Sequence, residues 1–198
     1  MPGRPLTADT RARSAAVGEY LSAVLITVAV GAVAGLVAGQ VRLHLGLPGH
    51  KVLFWLTPVL AARLVLGGLG GATGGAMAAA LGTAAVGGNL AGWATHLPMI
   101  GLAGVVLDAA ACLVERRRLA AAWAIPLMGI AGAAANIICF GKRLLAPWAE
   151  QGHAFLGLAG FDASLVSYGF FGLLAGLVGS AAAYGIMKRR RRGEQNTQ

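Results

Sequence analysis

The chain has 198 residues, of which 57% are hydrophobic and only 12% charged, with a formal net charge of +9. Soluble domains carry roughly half apolar and about a quarter charged residues, so this composition excludes an ordinary globular domain. The surplus of cations does not point to nucleic acid: the basic residues stand at the ends of apolar runs, with no aromatic-interleaved basic surface.

Residues 1–18 contain Pro2, Arg4, Pro5, Arg11 and Arg13 and read as a disordered, basic cytoplasmic tail. Six apolar spans then fill 19–187, at about 20–40, 52–69, 72–91, 97–114, 119–140 and 164–187. About 20 residues at 1.5 Å each cross a hydrocarbon core. The first span is too long, and its continuation too helix-like, for a cleaved secretory signal, and reads as retained. A polar connection with the turn Pro48-Gly49 leads to span 2, and GGLGGATGG joins spans 2 and 3. Span 4 stops at Glu115-Arg116-Arg117-Arg118, a partly polar stretch precedes span 6, and KRRRR from Lys188 to Arg192 opens a basic tail over 188–198. The expected fold is an all-α integral membrane protein, a bundle of six transmembrane helices with no room for a separate soluble domain.

With both termini cytoplasmic, the inner side holds Arg4, Arg11 and Arg13, Arg116–Arg118 and the KRRRR run. The outer connections hold only Arg42, Lys51, Lys142 and Arg143. That bias sets the orientation of a multi-pass protein in a cell inner or plasma membrane. Trp55, Trp93 and Trp148 near the outer interface and Trp123 near the inner one agree with it. The Lys188–Arg192 run suits an anionic lipid headgroup.

Span 1 places Ala23, Thr27, Gly31, Gly35 and Gly39 at every fourth position, a stripe that lets another backbone come close, from within the bundle or from a partner protein. The glycines of 67–75 lack the Lys-Ser/Thr of a phosphate loop and join two apolar spans, so they read as a hairpin. Arg63 and Asp108 are the ionisable residues deepest in the spans, both in cytoplasmic halves. They either pair across neighbouring helices or are accommodated separately, by snorkelling and polar neighbours. If they pair, a reciprocal charge swap should restore a loss caused by either single reversal. Cys112 and Cys139 have no redox or zinc spacing and read as buried thiols.

All four histidines fall on the outer side: His44 and His50 before span 2, His96 before span 4 and His153 before span 6. They are either interfacial side chains without a role or part of an outward-facing site, joined by Trp93, Trp148, Asn136 within span 5 and Tyr168 at the start of span 6. No H-x-x-x-H or H-E-x-x-H spacing marks a metal, so a metal site stays undetermined. Catalytic motifs are missing and no cofactor is implied, which favours a non-enzymatic protein.

The segments GLPGHKVLFWLTPVLAARLVLGG and GAVAGLVAG, set in six spans of about 200 residues, resemble the S components of energy-coupling factor importers. The resemblance implies a subunit that binds a vitamin-like or other small water-soluble micronutrient from outside. It further implies docking through Ala23, Thr27, Gly31 and Gly35 on a transmembrane coupling subunit that carries separate ATPases. It places the solute toward the outer side, near His50, Trp93, His96, Asn136, Trp148 and Tyr168, with His153 in the last outer connection. The family's metal-handling members use a histidine-bearing N-terminus, which this chain lacks. The competing reading is a non-catalytic structural or anchoring subunit of a larger membrane complex.

Overall fold

The computed structural model describes residues 6–41, 49–87, 93–144, 154–155 and 158–196. Six helices account for nearly all of these: α1 (Leu6–Gln40), α2 (Val52–Leu66), α3 (Gly71–Gly87), α4 (Trp93–Arg117), α5 (Ala121–Leu144) and α6 (Gly160–Asn196). Two two-residue strands, β1 (Ala154–Phe155) and β2 (Leu158–Ala159), pair antiparallel just before α6.

Four stretches are long and apolar enough to cross a membrane: Ala12–Gln40, Leu97–Arg117, Ala121–Gly141 and Gly160–Gln195. Large side chains such as Leu25, Val33, Leu81, Ile130 and Val178 point outward from the bundle, as in a protein whose solvent is hydrocarbon. Of the other two apolar helices, α3 corresponds to the third expected span, whose end, 88–91, lies outside the described residues, while α2 is shorter than the sequence suggests. It has 15 residues, about 22 Å against a core of about 30 Å. The reason is local. Gly67, Gly68 and Gly70 take φ of 75°, 87° and 86°, a left-handed backbone that ends a helix and that side-chain-bearing residues avoid.

Both ends of the chain are more helical than their composition suggests. Residues 6–18, expected as a disordered tail, form the first turns of α1, and α6 carries the KRRRR run helically as far as Asn196. Alanine and arginine are good helix formers, and each segment extends a helix already nucleated by the apolar span beside it.

The helices close into a ring in the order α1, α3, α4, α5, α6, α2. α1 and α3 run parallel: Gly31 lies on the Gly75 backbone and Gly35 on that of Ala79. α5 and α6 run antiparallel, with Gly132 against Gly172 and Gly176 against Met128. Within the ring, α2 supplies the large side chains Leu56, Val59 and Leu60, while α4, α5 and α6 offer Ala103, Ala111, Ala124, Ala135, Ala175 and Ala183. Large residues on one helix thus fill the space left by small residues on its neighbours. One end of the ring gathers Arg13, Arg116–Arg118 and residues 188–192, all exposed. The other end holds the starts of α2, α4 and α6 and carries His50.

Candidate functional site

At the basic end, α2 and α4 meet through a charged network. Val52, Leu56, Val59 and Leu60 form the inward stripe of α2, and Arg63 continues it one turn further, fully buried. On α4, Asp108, Cys112 and Glu115 stand at i, i+4 and i+7, so one helix face presents all three. Arg63 Nε donates to Asp108 Oδ1 at 2.8 Å, Nη1 to Glu115 Oε1 at 2.5 Å and Nη2 to Glu115 Oε2 at 3.4 Å. Nη2 also lies 3.8 Å from Cys112 Sγ.

Asp108 has a second task. Its carboxylate accepts from the backbone N–H groups of Ala72 at 3.2 Å and Thr73 at 2.9 Å, and from Thr73 Oγ1 at 2.8 Å. The first turn of a helix has backbone N–H groups with no partner inside the helix, and its dipole favours a negative charge. Here the cap of α3 comes from another helix, because Gly70, the residue just before α3, has no side chain to offer. Asp108 is 3% exposed and satisfied on every side, whereas the Glu115 carboxylate is 44% exposed. Two carboxylates on one guanidinium leave one negative charge in excess, and Glu115 holds it where water can screen it.

The opposite end holds an aromatic and polar cluster. Asn136 of α5 donates from Nδ2 to the Tyr168 carbonyl of α6 at 2.8 Å, with both residues buried. The Tyr168 ring packs on Phe140 at 5.2 Å, and Phe140 on Phe161 at 5.1 Å. His50, entering α2, meets Phe171 edge-on at 6.4 Å. Gly49 fits against the Tyr168 ring, where a Cβ would come within 3.0 Å. Asn136→Leu should cost about 1 kcal/mol, the usual worth of such a bond between membrane helices, read as a lowered midpoint of thermal unfolding in detergent.

Of the outer residues singled out by sequence, the structure gathers His50, Asn136 and Tyr168 at this end. Trp93 opens α4 and His96 lies in its first turn, but their side chains fall outside the described residues, as do Trp148 and His153 altogether. Arg63 and Asp108 are in direct contact. Ala23, Thr27, Gly31 and Gly35 are buried, and the glycines of the stripe face α3 of the same chain. The face expected to meet a coupling subunit is therefore occupied within the chain, because a helix with only small side chains along one line is the easiest for a neighbour to approach. The exposed face of α1 is a different one, with Leu21, Leu25, Val33 and Val37.

Sequence reasoning missed Glu115, Thr73, Phe140 and Phe171. Glu115 looked like part of the arginine stop, although its spacing of seven from Asp108 was a readable sign of a shared face. Among the described residues no three His, Cys, Asp or Glu side chains are grouped to hold a metal ion. Comparison with known proteins finds no matching family model, no similar curated protein and no similar solved structure.

Proposed function

We propose that this chain is a non-enzymatic, membrane-embedded solute-binding subunit of an importer for a small water-soluble micronutrient. The observation that carries the reading is the gathering of His50, Asn136 and Tyr168, with their aromatic neighbours, at the end of the ring away from the arginines. A polar group at membrane depth is retained where it packs helices or meets a solute. Aromatic walls with a few hydrogen-bonding groups are the usual lining of a small-molecule site. The positive-inside bias supports an orientation in which both termini are cytoplasmic and this end faces outward in the cell membrane. The resemblance to S components supports a coupling subunit with separate ATPases as partner. With the α1 stripe buried, that partner would meet the exposed face of α1. The helical Lys188–Arg192 run would rest among anionic headgroups.

The test begins with gentle extraction and mass spectrometry of co-purifying small molecules, followed by calorimetric titration of the candidates and of a panel of vitamins and divalent metals. Saturable binding weakened at least tenfold by His50→Ala or Tyr168→Phe, with the fold intact, is the expected result. No binding by any compound, in a protein that still assembles with other membrane subunits, would favour the anchoring-subunit reading instead.

A further inference from the structure

The two closest helix seams in the ring do not share a helix. In the α1–α3 seam, Gly31 and Gly35 rest directly on the backbones of Gly75 and Ala79, and Thr83 Oγ1 donates to the Gly35 carbonyl at 3.0 Å. In the α5–α6 seam, Gly132 and Gly172 face each other, Gly176 rests on Met128, and Asn136 bonds to the Tyr168 carbonyl. Backbones in direct contact have no side-chain layer to rearrange, so each pair behaves as one stiff body.

Glycine contacts also seat the remaining two helices: Gly104 of α4 rests on the Thr73 backbone of α3, and Gly179 of α6 on the Thr57 carbonyl of α2, so α4 goes with the first body and α2 with the second. α2 lies between α1 and α6, α4 lies between α3 and α5, and the two meet each other over a small area. That small area holds the Arg63 network. Arg63 reaches from α2 to Asp108 and Glu115 of α4, and Asp108 in turn holds the first turn of α3. The turn from α2 to α3 is held to α1, where Gly68 packs on Val24 and the hydroxyl of Tyr20 donates to the Leu69 carbonyl at 2.6 Å, while Gly67 and Gly70 have no atom within 4 Å of where a Cβ would stand.

We infer that the ring is built as two glycine-seamed bodies, α1–α3 with α4 and α5–α6 with α2, that rock against each other along the α1–α2 and α4–α5 contacts, and that Arg63 with Asp108 and Glu115 is the lock closing their basic ends. Packed interfaces of this kind switch between discrete arrangements, by hinge or by sliding. The lock is electrostatic, with its Glu115 arm in reach of water and its Asp108 arm buried, and opening it parts α2 from α4 without unpacking either seam. This inference stands apart from the solute reading, since it concerns which helices move together and needs no ligand.

Spin labels near the basic end test it, placed at Leu25 on α1, Met77 on α3, Trp123 on α5 and Ile186 on α6, all exposed. The background is Cys112→Ser with Cys139→Ala, in lipid nanodiscs. Distances are measured by pulsed electron resonance. With the lock intact, every pair should give one distance. In Arg63→Met and in Asp108→Asn, Leu25–Ile186 and Met77–Trp123 should gain a second, longer population. The shift should be on the order of one helical turn, about 5 Å. Leu25–Met77 and Trp123–Ile186 should not change. Cross-body distances that stay single in a folded variant overturn the inference, as do four distances that broaden together. If both core variants fail to fold, Glu115→Gln takes their place: a minor second cross-body population is expected, and four unchanged single distances overturn the inference.

Discussion

Replacing Asp108 by alanine should destabilise the protein more than any other single change in the charged network. Removing one partner of a buried ion pair leaves the other charge without compensation, at a cost of about 3–5 kcal/mol. Here Arg63 is fully buried, and the N–H groups of Ala72 and Thr73 lose their acceptor in the same step. Thermal unfolding in detergent should show a fall on the order of 10 °C for a chain of this size. Arg63→Met should cost less, because the methionine fills the space and Asp108 keeps its three bonds to Ala72 and Thr73. Glu115→Gln should cost least of the three, since water screens the exposed Glu115 end of its pair and Arg63 keeps its bond to Asp108. The reciprocal exchange of Arg63 and Asp108 should not restore stability, contrary to what a simple pair implies. An arginine at 108 would point its charge at the positive end of α3, and an aspartate at 63 would face Glu115. Rescue by the exchange would show that the α3 cap is energetically unimportant.

Two ionisable residues in apolar spans announce a partner, because an unpaired charge in hydrocarbon is costly. The number of partners is not announced. Thr73 contributes mostly through its backbone N–H, and every residue has one, so composition does not mark it. The helices themselves were legible wherever an apolar run was long, and their ends were not. α2 stops at Leu66 because three glycines adopt left-handed backbone, whereas glycine is equally common inside membrane helices, as Gly132 and Gly172 show. The gathering of His50, Asn136 and Tyr168 depends on the ring order, which places α2 beside α6 and not beside α5. No local pattern encodes that order.

The two glycine seams have a common consequence for how the chain can be altered. A methyl group added at Gly31 or Gly35 would overlap the backbone of α3, and one added at Gly172 would overlap the Gly132 carbonyl of α5. A backbone cannot rotate aside as a side chain can, so the helices must separate along the whole seam. Overpacking of cores costs about 1–3 kcal/mol and sometimes more.

Gly31→Ala combined with Gly35→Ala should accordingly lower the thermal midpoint of the isolated chain in detergent by several degrees, and Gly172→Ala should act in the same direction. Gly18→Ala is the internal reference. Nothing lies within 4 Å of its Cβ position, and alanine in an exposed helix is favoured over glycine by about 0.5–1 kcal/mol, so its midpoint should hold or rise. The same variants separate the two uses of the α1 stripe. If the stripe serves the α1–α3 seam, Gly31→Ala destabilises the chain with no partner present. If it serves a coupling subunit, the isolated chain is unchanged and only co-purification of that subunit is lost. A stripe turned inward also makes Val33→Ala and Leu25→Ala, on the exposed face, the substitutions that should weaken assembly while leaving the midpoint of the isolated chain nearly where it was. Loss of assembly on altering Gly31 alone, at unchanged stability, would return the docking role to the stripe.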